Sequence, residues 1–242
     1  MTDGRTPGAL IDSPRAYAMW GLGVVAYISA ILTRTSFGVA GVQATERFAI
    51  GASMASLFVV VQLITYASMQ VPVGLLADRF GTRLVVTCGA LLMSAGQFAL
   101  ALTTVLPLAI AARVLVGAGD ALTFIAVLRL LPAWFSAGRL PVLNQVTSLL
   151  GQVGQLLSSI PLAAILFTFG WTAAFSCAAA VAAGVAVLVG AFLRDAPSGV
   201  RTTTADGPSP WQQVRAVLRV PAPVGSASGC TGRPRSGVWC SR

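Results

Sequence analysis

The sequence predicts an all-α, polytopic membrane protein with six transmembrane helices. Its residues are 56% hydrophobic and only 10% charged, and its mean hydropathy is +0.81. Soluble domains carry about 25% charged residues, so this composition indicates lipid as the surrounding solvent. Six apolar segments are long enough to cross about 30 Å of hydrocarbon as helices. Helices are expected because a membrane-spanning segment must satisfy its own backbone hydrogen bonds.

The six predicted spans follow one another through short connections. They cover residues 17–40, 52–76, 84–106, 108–131, 142–168 and 172–193. The breaks fall at charged residues, glycines and prolines: at Glu46 and Arg47, around Asp78, at Pro107, between Pro132 and Pro141, and at Gly170. The connections at Pro107 and Gly170 are so short that the helices on either side are predicted to form hairpins.

The arginines predict how the chain is oriented in the membrane. All 16 basic residues are arginines, and the net charge is +9. With a cytoplasmic N-terminus, only Arg47 lies outside, and eight arginines lie inside: Arg5, Arg15, Arg79, Arg83, Arg129, Arg139, Arg194 and Arg201. The positive-inside rule therefore predicts a cytoplasmic N-terminus in a cell (plasma or inner) membrane. The arginines are dispersed at the ends of apolar segments, which argues against nucleic-acid binding.

The sequence gives no indication of a metal site, a cofactor or an enzyme. It has no histidine, and its four cysteines show no metal or redox spacing. No pair of acidic residues suggests general acid–base catalysis. We therefore predict a protein without metal or cofactor that is not an enzyme.

Polar residues are shared unevenly among the spans. The fifth span carries Gln145, Ser148, Gln152, Gln155 and Ser159, whose spacing places them on one helical face. Polar residues of the second span recur about four positions apart, at Gln62, Tyr66 and Gln70. We predict a cavity lined by Gln62, Tyr66, Gln145, Gln152 and Gln155. The alternative for the fifth span is contact between helices. The third and sixth spans are almost wholly apolar and can face lipid.

One connection holds a dense group of charged residues and glycines. It reads Gly74-Leu-Leu-Ala-Asp78-Arg79-Phe-Gly81-Thr-Arg83. It resembles the signature loop of the major facilitator superfamily, G-x-x-x-D-R-x-G-R-R/K. The resemblance implies that Asp78 acts at a cytoplasmic gate with Arg79 and Arg83 as charged partners, and that Gly74 and Gly81 allow close approach and a tight turn. The alternative is that these charges are only topology signals.

Two further segments resemble the same family. Arg113-Val-Leu-Val-Gly117-Ala-Gly119 resembles the R-x-x-x-G-x-G pattern of the family's fourth helix. The segment around Arg34 in the first span resembles the first-helix arginine segment of anion-handling branches. These resemblances imply a secondary transporter in which four of the six helices line a cavity or face a second half.

Three ionisable residues lie within the predicted spans, namely Arg34, Arg113 and Asp120. An ionisable group at a helix centre costs about 2.5–3.5 kcal/mol or more, so each should face a wet cavity or a partner. We predict roles in substrate binding or proton coupling, with Asp120 as the candidate proton carrier. The alternative is an ion pair of Asp120 with Arg34 or Arg113 that only stabilises the bundle. Two arginines against one acid favour an anionic substrate.

The predicted organisation is that of the N-terminal six-helix half of a major facilitator protein. Residues 1–16 form a cytoplasmic tail, 17–193 the bundle, and 194–220 a cytoplasmic linker with a short amphipathic helix. Residues 221–242 form a disordered tail or the product of a frameshift. Since the family has two six-helix halves around its substrate, we expect this chain to be a truncated half.

The predicted function is secondary active transport of a small solute, with an organic or inorganic anion favoured, by alternating access. The expected partners are membrane lipid, a small-molecule substrate, and either the missing C-terminal half or a second copy of the chain. Two alternatives stay open at this point. One is a half-transporter that works as a homodimer, and the other is a membrane-embedded scaffold or regulatory subunit without transport activity.

Overall fold

The computed structural model describes residues 12–194. Within that range the chain forms helices and no strand: α1 Pro14–Val39, α2 Gly41–Phe48, α3 Ala52–Phe80, α4 Thr82–Leu102, α5 Leu106–Trp134 and α6 Leu140–Phe192. Five of these helices, all except α2, are long and apolar enough to cross a membrane. The predicted linker helix and the predicted tail at 221–242 lie outside the described residues, as does most of the N-terminal tail.

Helix α6 contains two of the six predicted spans. Its 53 residues leave helical geometry at Gly170, where φ is 81° and ψ is −178°. Glycine adopts this conformation without the steric cost that a Cβ imposes. We call residues 140–169 the first arm and residues 171–192 the second arm. Within residues 12–194, the five long helices thus provide six segments that are long and apolar enough to cross a membrane, and the all-α polytopic prediction is confirmed.

The two arms of α6 run in opposite directions along the bundle. The first arm follows α1, because Trp20 near the start of α1 donates to Thr147 at 2.9 Å. The second arm returns along α4: the indole of Trp171 donates to the Leu100 carbonyl at 2.9 Å, and Arg83 at the start of α4 donates to the Gly190 carbonyl. This reversal is the hairpin that the sequence predicts at Gly170.

Helix ends follow local sequence signals. The hydroxyl of Ser13 accepts a hydrogen bond from the Ala16 amide at 3.3 Å, and Pro14 is the first residue of α1. Side-chain capping followed by proline is a common helix start, because proline lacks a donor that would be unsatisfied there. Pro107 and Pro141 likewise lie in the first turns of α5 and α6. These prolines begin helices instead of separating them.

Glycines set the closest contacts between helices. A Cβ on Gly89 of α4 would lie 2.8 Å from the Gly119 carbonyl of α5, and a Cβ on Gly96 would lie 2.7 Å from the Ala112 carbonyl. A Cβ on Gly117 would lie 2.7 Å from a backbone carbonyl of α3. Small residues let helix backbones approach closely in membranes, where packing contributes strongly to association. Helix α5 is therefore held tightly against both α4 and α3.

Burial differs sharply between α5 and α3. In an apolar stretch of 18 residues within each helix, 61% of the residues are buried in α5 but only 17% in α3. Helix α5 is therefore central, while α3 presents most of its surface outward. Apolar side chains such as Leu63, Ile64 and Val71 are more than half exposed on α3. Such a surface suits contact with lipid or with further protein.

The short helix α2 is a feature that the sequence analysis missed. It connects α1 to α3 at the end of the bundle that carries Trp171. Phe48 packs against Trp171 with ring centroids 5.8 Å apart, and Arg47 donates to the carbonyls of Ala101 and Thr103 at 3.3 and 3.2 Å. Arg47 therefore satisfies carbonyls at the C-terminal end of α4, which have no partner within their own helix.

Candidate functional site

The signature motif lies mainly in helix α3, which corrects its prediction as a loop. Gly74, Asp78 and Arg79 fall within α3, and the helix ends only at Gly81. Gly81 has φ 83° and ψ 159°, a conformation that is almost restricted to glycine. No other glycine or proline lies between Gly74 and Gly81, so the helix continues to the first residue that can reverse it. One residue therefore makes the whole turn.

Asp78 forms an ion pair with Arg129 of α5. Arg129 Nη1 donates to Asp78 Oδ1, and both side chains are exposed, at 41% for the arginine and 43% for the aspartate. A Cβ on Gly74 would lie 3.2 Å from Arg129 Nη2, so the glycine leaves room for the guanidinium. From the sequence, Arg129 is predicted only to contribute to the orientation in the membrane.

The two arginines of the motif, expected as partners of Asp78, make other contacts. Arg83 Nε donates to the Gly190 carbonyl at 2.9 Å, which connects the start of α4 to the last turns of α6. The guanidinium of Arg79 lies 5.5 Å from the centre of the Phe80 ring. The motif therefore contributes to contacts among four helices at one end of the bundle. Asp78 joins α3 to α5, and Arg83 joins α4 to α6.

Arg34 and Asp120 form a two-bond ion pair between α1 and α5. Arg34 Nε donates to Oδ2 at 2.7 Å, and Arg34 Nη2 donates to Oδ1 at 2.8 Å. This parallel geometry is the strongest arrangement of an arginine with a carboxylate. The aspartate is 1% exposed and the arginine is 33% exposed. Of the two pairings that the sequence left open, the structure forms this one.

A groove of about 410 Å³ opens beside this ion pair. Its polar lining comes from Arg34, Thr35, Gln62, Gln155 and Ser159, and its apolar lining includes Val59 and Leu63. Tyr66 is half-buried, and its ring centre lies 4.9 Å from the Arg34 guanidinium. The volume suits a small solute, and the lining combines apolar surface with a few polar groups, as small-molecule sites do.

Arg113 lies in the bundle interior and is 0% exposed. Its Nη1 donates to Oε1 of Gln62 at 3.1 Å, and its guanidinium lies 4.4 Å from the centre of the Phe37 ring. Gly117, one turn further along α5, brings the α3 backbone close enough for Gln62 to reach Arg113. The R-x-x-x-G spacing thus places the glycine one turn from the arginine, where it lets α3 approach and Gln62 contact Arg113.

The polar stripe of the predicted fifth span faces outward from the first arm of α6. Gln145, Gln152 and Gln155 are exposed, and Gln155 also lines the groove. The adjacent face is buried against α1, because Gly151 and Gly154 lie close to the side chains of Tyr27, Ile31 and Ile28. Two residues of the stripe, Gln155 and Ser159, border the groove.

Gln97 of α4 is a buried polar residue that sequence reasoning missed. It is 0% exposed, and its Nε2 donates to the Thr33 carbonyl and to the Ser36 hydroxyl, both at 2.8 Å. The signal was a lone glutamine in an otherwise apolar span, which must find partners because its amide cannot be hydrated there. Gln97 therefore connects α4 to the residues of α1 on either side of Arg34.

A family model described as Major Facilitator Superfamily matches residues 23–232 of the chain. No curated protein matches the sequence. The family match covers α1 from residue 23 onward and the whole of the other four long helices, and it includes Arg34, Arg113 and Asp120. Members of this family are transporters and not enzymes. The chain therefore belongs to the major facilitator superfamily and is a multi-pass membrane transporter.

Proposed function

We propose that the protein carries out secondary active transport of a small anionic solute by alternating access. In this proposal Arg34 binds the solute, and Asp120 couples its transport to a proton. The observation that carries the proposal is the two-bond Arg34–Asp120 pair at the wall of the groove. Arg34 is partly exposed there, whereas Asp120 lies behind it. A solute in the groove would therefore meet the guanidinium first.

Transport of the solute would be coupled to a proton because the solute anion can replace Asp120 as the partner of Arg34. The guanidinium that holds the Asp120 carboxylate with two hydrogen bonds offers the same geometry to a carboxylate or phosphate of a solute. Protonation of Asp120 removes its charge and releases Arg34 to the solute. Loss of the proton restores the internal pair and expels the solute. Binding of the anion and of the proton would then favour each other, as a symporter requires.

Tyr66 and Gln62 support binding at the same place. The Tyr66 ring lies against the Arg34 guanidinium and limits its freedom, so less conformational entropy is lost when a solute binds. Gln62 and Gln155 add amide groups to the groove lining. The excess of positive charge, with Arg34 and Arg113 against Asp120, favours an anionic solute over a cationic one.

The groove needs a second wall before it can close around a solute. Apolar residues of α3 that border it, such as Val59 and Leu63, are 43% and 51% exposed. We propose that a second six-helix half covers this surface, carried by further sequence or by a second copy of the chain. The arginine distribution supports a cell membrane location with the N-terminus and the Asp78 motif on the cytoplasmic side.

The direct test is uptake by proteoliposomes that contain the purified full chain. Radiolabelled small carboxylates and phosphate would be offered with and without an inward proton gradient. We expect gradient-driven uptake of at least one anion. Arg34→Gln should abolish it, because the two-bond contact is lost. Asp120→Asn should make the remaining uptake insensitive to the gradient, because residue 120 no longer titrates.

The matched control is Arg139→Gln, which removes an arginine that is 54% exposed and remote from the groove. Its uptake should remain near that of the unmodified chain. Absence of uptake for every anion by folded protein would contradict the proposal that this chain transports with a second copy as its other half. So would equal loss of uptake in Arg34→Gln and Arg139→Gln.

A further inference from the structure

Arg113 is a buried positive charge that meets no negative partner in the described part of the chain. Asp120 lies seven residues further along α5, but its carboxylate is paired with Arg34. The contacts of Arg113 are one hydrogen bond to Gln62 and the face of the Phe37 ring. The ring quadrupole offsets part of the cost of burying the cation. A buried arginine without a counter-charge is nevertheless costly, and such groups in membrane proteins commonly mark functional sites.

Three hydrogen-bond donors at this place have no acceptor among the described residues. They are Nε and Nη2 of Arg113 and Nε2 of Gln62. The guanidinium can only donate, so the Gln62 amide must turn its oxygen towards Arg113 and leave its NH₂ group outward. Since all three unsatisfied groups are N–H donors, the group that would satisfy them is an acceptor. A water molecule could accept these bonds but would leave the positive charge uncompensated.

Gln62 places these donors next to the groove. Its side chain lines the groove on one side and contacts Arg113 on the other, and it is 4% exposed. The close approach of α3 to Gly117 holds Gln62 in this position. Gln62 therefore lies between Arg113 and the groove.

We propose that Arg113 and Gln62 form a buried subsite for one small anionic group, separate from the Arg34–Asp120 pair. A carboxylate of the transported solute and a halide ion from the medium share the required chemistry. Both carry one negative charge and accept several N–H bonds. The entry of a solute through the groove rests on the proposed function, whereas binding of a small anion by itself does not.

The test is the thermal unfolding of the full chain in detergent. Sodium chloride and sodium acetate are each titrated against sodium 2-(N-morpholino)ethanesulfonate, whose anion is too bulky for the subsite, at constant ionic strength. A bound anion stabilises the folded state in proportion to its occupancy, so the Tm should rise with concentration. A response to acetate alone supports the carboxylate as occupant, and a response that includes chloride supports the halide. Equal Tm values in all three salts would overturn the proposal.

Gln62→Glu is the decisive variant, because it supplies a permanent carboxylate to Arg113. We expect this variant to be stable without added anion and to lose the response to chloride and acetate. The matched control is Gln97→Glu, which places the same change at another buried glutamine with no arginine contact. It should lower the Tm but keep the anion response. An unchanged anion response in Gln62→Glu would overturn the proposal.

Gln62→Met removes the amide while keeping the side-chain length, and it covers the case in which the charged variant fails to fold. Because this variant loses one hydrogen bond to a charged group, we expect its apparent affinity for the anion to be roughly ten- to hundredfold weaker. Unaltered affinity would exclude Gln62 from the subsite. An anion response without uptake in proteoliposomes would contradict the proposed function alone, and uptake without any anion response would contradict the subsite alone.

Discussion

Helix α5 contributes to two ion pairs of the same chemical type in two different environments. In the interior, Asp120 accepts two hydrogen bonds from Arg34 of α1 and is 1% exposed. At the end of the bundle, Arg129 pairs with Asp78 of α3, and both side chains are more than 40% exposed. The interior pair joins α5 to α1 beside the groove, and the outer pair joins α5 to α3 at the signature motif.

The difference in exposure decides what each pair can do. Water can replace either partner of the Arg129–Asp78 pair at little cost, so this contact can break and re-form during a conformational change. The Asp120 carboxylate has no such substitute, because an unpaired charge in the interior is strongly unfavourable. The interior pair can exchange only with another partner, such as a proton or an anionic solute. This contrast suits a gate at the end and a binding group in the middle.

The largest effect is expected from the interior pair. Asp120→Ala removes the counter-charge of Arg34 and should lower the free energy of unfolding by about 3–5 kcal/mol. The double variant Arg34→Leu/Asp120→Ala removes both charges and should recover most of that loss. Chemical unfolding in detergent, analysed as a double-mutant cycle with Arg34→Leu, measures the coupling.

Recovery of stability in the double variant should not bring back solute uptake. That dissociation would separate the structural role of the pair from its role in binding. Additive losses, with the double variant less stable than either single variant, would show that the two charges do not depend on each other.

A smaller effect is expected from the glycine that precedes Asp120. A Cβ on Gly119 would lie 2.7 Å from the Met93 side chain of α4 and in conflict with the Gly89 carbonyl. Gly119→Ala should therefore cost about 1–3 kcal/mol, because the helices must move apart. The control is Gly184→Ala in the second arm of α6, where nothing lies within 4 Å of the added Cβ. Thermal unfolding should show a lower Tm for the first variant only, and equal shifts would contradict the packing argument.

Much of the fold was predictable because lipid imposes simple rules. A span of about 20 apolar residues must be a helix, so the lengths and breaks of the apolar segments predicted six spans whose ends lie within a few residues of the helix ends in the structure. The same rule drew attention to Arg34, Arg113 and Asp120, since charges are rare inside a membrane. The prediction of the signature motif as a loop was wrong because the residues before Gly81 allow either a helix or a loop. The motif stays helical as far as Gly81 because no residue before it forces the helix to end.

The sequence could not predict which side chains pair across the helices. Asp120 could have paired with Arg34 or with Arg113, because the outcome depends on how α1 is rotated against α5. The Asp78–Arg129 contact joins residues 51 positions apart, and it depends on the close packing of α3 on α5. Gln97 escaped notice because one glutamine hardly alters the hydropathy of its span. Such contacts are set by the relative rotation of helices, to which hydropathy is insensitive.

The smallest effect on stability is expected at the exposed pair, where function provides the clearer measurement. Asp78→Asn should change the free energy of unfolding by no more than about 1 kcal/mol, because exposed ion pairs contribute little. Uptake should nevertheless fall, and Arg129→Gln should reduce it to the same degree if the two side chains act as one contact. Arg79→Gln is the matched control, since that arginine lies over Phe80. A loss of stability in Asp78→Asn as large as that in Asp120→Ala would show that exposure does not distinguish the two pairs, and the division into gate and binding group would fail with it.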